Sequence, residues 1–566
     1  MPYERPDIQA MLAELRSLEA RLRGAADFER ADDAFLALNA LRGRAQTLAS
    51  LAQVRHQIDT NDAFYDAEVA FWDEQAPVLE EGLQAATRAL FESPFRGGFA
   101  AKYGELMIRN IQIELKTFAP EIVPELQEEN RLTTEYDKLL ASAQIPFGFE
   151  GAVQVYTLAQ LEPFKEDRND EKRRAAWLAE GGFYAGHGET LDRQYDELVA
   201  LRHRMALKLG YENFVELGYD RLCRNSYTRR DVEKFREAVV QHIVPVADRL
   251  YRQQAERIGA PYPLSFADMP LTFRGGNARP FGTPEQILEH GKKFYHELSP
   301  RTGEFIDFML DNGLMDVLSR KGKSGGGFCT FFPDYRSPFI FANFNGTAGD
   351  VEVITHEAGH AYAVYLARDI VPLQNQNPTM ESCEIHSMAM EFFAWPWAEG
   401  FFGADTGKFR YGHLAGAITF LPYGAMVDHF QHSMYDHPEL SPAQRHAEWR
   451  RLLGVYMPWV RLDDGIPFYG EGRGWQRQSH IYEMPFYYID YCLAQTVALQ
   501  FWAVSQRDMA DAWRRYDALV SLAGARAFTG LVESAGLDTP FGDGALRAVA
   551  QAVTDWLEQA DMETIK

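Results

Sequence analysis

The stretch DVEVITHEAGHAYAVYL, residues 350–366, decides how the rest of the chain is read. Val351, Ile354, Ala358, Ala361 and Val364 recur at three- and four-residue steps, the apolar stripe of a helix. Thr347 or Asp350 stands where an N-cap belongs. Within the helix lies His356-Glu357-Ala358-Gly359-His360. Helical residues four apart sit ~40° apart around the axis, one turn up, so both imidazoles leave from one face. They can reach one tetrahedral ion. Glu357, one residue on, can contact a water on that ion without ligating it, which is what a hydrolytic zinc needs. Gly359 costs helix propensity and predicts a packing reason, such as close approach of another backbone.

Two histidines leave a catalytic zinc one short of its usual three protein ligands. The pattern HExxHxxGxxH is absent, because Tyr365 and Leu366 stand where it runs out. A carboxylate is the alternative. PTMESCEIHSMAMEFFAWPW (378–397) is a second amphipathic segment and holds Glu381, Glu384 and Glu391. Acids in so apolar a stretch are costly unless paired or bound to metal. Spacing alone does not choose among the three.

Outward from this centre, most of the chain reads as helix. Apolar stripes run through about 30–58, 62–92, 98–117 and 123–144, and again through 159–181, 187–208 and 229–258. IPFGFEGAV (145–153) interrupts them and suggests a division into a helical region, 1–150, and a helical region with the HExxH segment, 151–566. RKGKSGGGFCTFF (320–332) reads as a glycine loop and a short strand, and SPFIFANFNG (337–346) as the strongest strand.

Bulk properties exclude several classes. The 566 residues are 46% hydrophobic and 24% charged, so a large core is within reach without staples. A net charge of −24 offers nothing to a polyphosphate backbone, which argues against nucleic acid as a partner. Cys223, Cys329, Cys383 and Cys492 contain no CxxC and read as reduced thiols. The opening MPYERPDIQAML lacks the apolar run of a signal peptide, and no run reaches the ~18 residues of a membrane span. A soluble, cytoplasmic protein without a membrane partner is expected.

FANFNGTAGDVEVITHEAGHA (341–361), ESCEIHSMAMEFF (381–393) and HIYEMPFYYIDY (480–491) resemble the zinc metallopeptidases of the thimet oligopeptidase and oligoendopeptidase F type, the bacterial oligoendopeptidase branch above all. The resemblance implies a mainly α, elongated, two-lobed body with a deep substrate channel and a small β-sheet beside the HExxH helix. It implies one Zn²⁺ on His356, His360 and Glu384, with Glu391 behind them to orient the set. It implies Glu357 as general base, and His480, Tyr488 and Tyr491 as contacts to substrate and transition state, with Tyr482 a further substrate contact. Gly326 and Gly327 would let backbone approach closely, and the strand holding Phe341 and Asn343 would pair edge-on with an extended peptide. The expected function is hydrolysis of internal bonds in short, unstructured peptides. Two alternatives stand beside it: an exopeptidase of carboxydipeptidase type on the same fold, and a non-catalytic peptide-binding protein.

Overall fold

Most of the amphipathic stripes form the helices they predict, but the one over 98–117 breaks at Gly104 and the one over 159–181 breaks between Lys165 and Asp170. Residues 1–542 and 544–565 are described by a computed structural model. Three long helices open the chain: Ile8–Arg23, Phe28–Ile58 and Ala63–Phe91. Each starts at an aspartate, Asp7, Asp27 and Asp62, whose carboxylate accepts a backbone N–H of the first turn. Leu15, Leu18, Phe35, Leu38, Trp72 and Leu83 bury their shared face in a first core that closes at Leu115. A larger core runs from Ile122 to Leu557 and contains the helices described below. The chain is therefore mainly α, as expected, and no helix among the described residues is long and apolar enough to cross a membrane.

IPFGFEGAV forms a hairpin, β1 (Ile145–Phe147) antiparallel to β2 (Gln154–Tyr156). The main sheet has three strands, β3 (Met315–Leu318), β4 (Phe328–Phe332) and β5 (Ser337–Phe344), in the order β3-β5-β4. β3, four residues long, carries too little periodicity to be read from sequence. β5 runs parallel to β3 and antiparallel to β4, with Phe328 opposite Phe341 and Thr330 opposite Phe339.

This order corrects one expectation. Both edges of β5 are taken, so the FIFANF strand has no edge to offer a peptide. Phe341 is fully buried and stacks under Phe328, with ring centroids 4.8 Å apart. The edges belong to β3 and β4, and of these it is β4, fed by the glycine loop, that lines the cavity.

That loop is pinned. Thr60 N donates to Gly322 O at 2.7 Å and Ser324 N to Gln57 O at 2.8 Å, tying it to the end of the second helix. The Lys323 ammonium is buried among Asp316 Oδ1 at 2.8 Å and the carbonyls of Asp316, Leu318 and Ala342. After β5 the Asp350 carboxylate accepts Asn345 N and Gly346 N, each at 2.8 Å. Asp350 thus fastens the turn to the next helix. Neither it nor Thr347 caps that helix, which begins at Gly349.

The motif helix (Gly349–Ala367) lies against the carboxylate helix (Met380–Phe393), which lies against the tyrosine helix (Tyr488–Ser505). At the first crossing a Cβ on Gly359 would sit 2.5 Å from His386 O and 2.7 Å from Ser387 Cα. The glycine is what lets two backbones come so close.

Candidate active site

The crossing at Gly359 brings the side chains of both helices together. Nε2 of His356 and Nε2 of His360 each stand 3.3 Å from Glu384 Oε2. One ligand atom from each of the three lies within 4.8 Å of the other two. Of the acids that spacing left open, Glu384 alone joins the imidazoles. Glu391 stands behind His356. Glu381 is buried on another side and accepts a 2.7 Å bond from Thr379.

Hydrogen bonds fix how each ligand presents itself. The indole of Trp395 donates to His413 Nδ1 at 2.9 Å. Indole N–H only donates, so His413 Nδ1 carries no proton and Nε2 does. That Nε2 meets Glu391 Oε2 at 2.7 Å, and Glu391 Oε1 meets His356 Nδ1 at 2.7 Å. The chain fixes Nδ1 of His356 on Glu391 and leaves Nε2 facing Glu384. Ser387 Oγ donates to Glu384 Oε2 at 3.0 Å, and the Tyr487 hydroxyl donates to Glu384 Oε1.

The electrostatics ask for positive charge. Burial pushes the Glu384 carboxyl up, but the two imidazoles outweigh it and hold it well below the usual carboxylate range. Burial lowers His356, yet hydrogen bonds to Glu384 and Glu391 raise it well above the ordinary histidine value. The pocket between these groups therefore attracts a cation. Two imidazole nitrogens and one carboxylate oxygen, with the second histidine nitrogen of His356 anchored on a carboxylate, are a donor set that fits zinc. Glu357 is raised by burial, and its Oε2 is buried with no partner among the described residues.

His480 and two tyrosines face this centre. Gln478 Nε2 lies 2.9 Å from His480 Nδ1, and His480 Nε2 lies 3.0 Å from Tyr491 Oη. Tyr423 holds the other end of the Gln478 amide at 3.0 Å. Burial lowers His480 to about 4, so its ring is neutral near pH 7. Burial and the nearby Glu384 charge push the hydroxyls of Tyr487 and Tyr491 well above the ordinary phenol range, so both remain donors.

Two further expectations are corrected here. Tyr488 is absent from the cavity wall; it packs on Phe420, Tyr423 and the His480 ring. Tyr487 and Tyr491, four apart, share the face toward Glu384, whereas Tyr488 is rotated ~100° from Tyr487. Tyr482 is fully buried, stacked 4.1 Å from Tyr136, with its hydroxyl on Leu191 O at 3.2 Å. It supports the His480 segment from behind and is not on the wall of the cavity that the site opens on.

The three candidate ligands, Glu357, His480, Tyr487 and Tyr491 open on one cavity of about 940 Å³. Gly326, Gly327 and Asn343 line it, along with His356, Glu357, His360, Glu384, His480, Tyr487 and Tyr491. Asn343 Nδ2 donates to Ser324 O and Gly326 O at 2.8 Å each and so shapes the glycine loop. A Cβ on Gly327 would lie 3.4 Å from Glu357 Oε1. Sequence reasoning missed Tyr487, His413, Trp395 and Gln478. The four-residue step from Tyr487 to Tyr491 was a usable signal; nothing local in the sequence marks the others.

Fold and site together define a helical metallopeptidase. The comparisons with known proteins carry this one step further. The chain matches the family model of the peptidase M3 N-terminal domain over residues 1–118 and that of peptidase family M3 over residues 163–551. It belongs to peptidase family M3. Among solved structures, a putative oligoendopeptidase F has 46% identity and a TM-score of 0.97, covering 99% of this chain and 98% of that one. PZ peptidase A with an inhibitor has 45% identity and a TM-score of 0.97, covering 99% of each chain. A putative oligoendopeptidase F from Bacillus anthracis str. Ames has 41% identity and a TM-score of 0.92, covering 100% of this chain and 98% of that one. Curated proteins give no match to the sequence.

Proposed function

We propose that this peptidase is a zinc-dependent oligoendopeptidase acting on short, unstructured peptides. The observation that carries the reading is the convergence of His356, His360 and Glu384 within 4.8 Å on the wall of a 940 Å³ cavity. Zinc held there supplies a Lewis acid and a water of lowered pKa. Glu357, with an unpartnered buried oxygen, takes a proton from the attacking water and returns it to the departing amine. Its raised pKa suits both halves of that exchange. Tyr491, whose oxygen accepts the Nε2 proton of neutral His480 at 3.0 Å, keeps its own O–H to stabilise the oxyanion as it forms. Tyr487 and Ser387 hold Glu384 still, and Glu391 holds His356.

An extended peptide pairs with the outer edge of β4, where main-chain bonds are tolerant of sequence. Gly326 and Gly327 keep that approach clear of side chains. The names of the similar structures support the endopeptidase reading over the exopeptidase one. The unpaired cysteines Cys223, Cys329, Cys383 and Cys492 support a reducing, cytoplasmic setting.

The test uses a fluorogenic peptide blocked at both ends. Cleavage at an internal bond, loss with a chelator and recovery with one equivalent of Zn²⁺ are expected. Glu357→Gln is expected to retain zinc and lose hydrolysis. Cleavage restricted to peptides with a free terminus turns the reading to an exopeptidase, and protein without stoichiometric metal removes it.

A further inference from the structure

Resting on the peptidase reading, we propose that Arg477 forms a subsite for a peptide carboxylate. Beyond the metal site the charged side chains on the cavity wall are mostly acids: Asp137, Glu162, Asp350 and Glu483. Its cationic side chains are Lys323 and Arg477. Lys323 has no charge to spare, since its ammonium is fully buried on Asp316 and three carbonyls. Arg477 is different. Its side chain keeps 38% exposure and lies on the cavity wall.

The guanidinium is braced from behind. Nη1 donates to Tyr469 Oη at 3.2 Å, and the Tyr423 hydroxyl lies beside it. Glu180 stands 3.8 Å away and shares the single ammonium of Lys165 with Glu162. Lys165 Nζ binds its Oε2 at 2.6 Å, and the Tyr469 hydroxyl binds its Oε1. So Arg477 completes the charge balance of this cluster through Nη1 and keeps the rest of its guanidinium on the cavity wall. A planar, braced guanidinium with a free flank is suited to a carboxylate fork.

Its place in the chain sets where the ligand goes. Arg477 ends the turn Gly474–Arg477, three residues before His480 and on the same wall. A carboxylate seated there lies next to the reacting centre. The carboxylate has two sources, the C-terminus of the peptide or an Asp or Glu side chain.

Four peptides of one sequence separate these sources: C-terminal acid or amide, each with Glu or Gln near the end. We expect wild type to favour the carboxylate-bearing peptides by about 10- to 100-fold in KM, the range of a charge-assisted bond. The pattern across the four identifies the source. In Arg477→Met the preference is expected to collapse to about 1, and Arg477→Lys is expected to retain part of it. A preference unchanged in Arg477→Met, or absent from wild type, overturns the subsite. Calorimetry of the same peptides on a Glu357→Gln background reads binding without turnover. A preference there without hydrolysis by wild type sustains the subsite and refutes the peptidase reading; hydrolysis without a preference does the reverse.

Discussion

Gly359→Ala sets two effects of opposite sign against each other. Alanine is favoured over glycine inside a helix by ~1 kcal/mol, so the motif helix alone gains. The crossing loses. The new Cβ lies 2.5 Å from His386 O and 2.7 Å from Ser387 Cα, both backbone atoms that no rotamer change can move. Ordinary contact starts at 3.4 Å, so the carboxylate helix must retreat by about 0.9 Å at His386. The same carbonyl accepts the Tyr516 hydroxyl at 2.6 Å, so a second contact is disturbed. Overpacking of this kind costs ~1–3 kcal/mol, and rigid partners put the case at the upper end. The net expectation is a loss of ~2 kcal/mol after the helix gain is subtracted. The same shift moves Glu384 away from His356 and His360, where ligand distances tolerate only ~0.2 Å. Zinc affinity is expected to fall about 10- to 100-fold, as when a ligand loses its positioning partner. Urea unfolding of the metal-free protein reads the first effect. Competition with a chromophoric zinc chelator reads the second. Gly454→Ala is the control: it lies in the helix Pro442–Tyr456 with nothing within 4 Å of its Cβ position, and a slight gain is expected. Wild-type zinc affinity together with unchanged or raised stability in Gly359→Ala would refute the argument.

Four more substitutions probe the supporting shell and the fold. Tyr487→Phe removes the bond to Glu384 and is expected to lower kcat by about 10-fold or more, while Tyr488→Phe changes it little; steady-state kinetics on one blocked peptide compares them. His413→Phe cuts the link between Trp395 and Glu391 and is expected to weaken zinc binding by about 10-fold, read by the same chelator competition. Glu129 is pushed up by burial but pulled down to about 2 by Arg221 and Arg202. A depressed carboxyl stabilises the fold fully above its ordinary value of 4.5 and loses that contribution as pH falls toward 2. Glu129→Gln is thus expected to cost ~3 kcal/mol at pH 7, with the gap from wild type narrowing below pH 4.5, measured by urea unfolding across pH.

Much of this was legible in the sequence, and the reasons differ by residue. Helices with long apolar stripes announce themselves, because a 3.6-residue period sustained over many turns suits no strand or loop. The histidine pair was legible because its geometry is internal to one helix. Gly359 was legible as an anomaly, a helix breaker inside a strong stripe. Beyond one element, legibility fails. Sheet order placed β5 in the centre and β4 at the edge, and nothing in FIFANF says which neighbour it will take. Tyr488 differed from Tyr487 by one residue, and one residue is ~100° of helix. His413 reaches Glu391 from a separate helix, Thr406–Asp436, so only the packing of the fold reveals it.

What the packing achieves at the centre is a set of charges that does not balance by itself. Glu357, Glu384 and Glu391 are brought together around two imidazoles, and burying an unmatched charge costs several kcal/mol. The bare fold answers by favouring a proton on His356, whose affinity for it is raised by Glu384, which a metal would ligate, and by Glu391 behind the ring. A divalent cation and that proton therefore compete for one position. It follows that the site is built to be completed, and that Glu391, His413 and Trp395 act before any substrate arrives, by fixing which nitrogen of His356 is free to complete it.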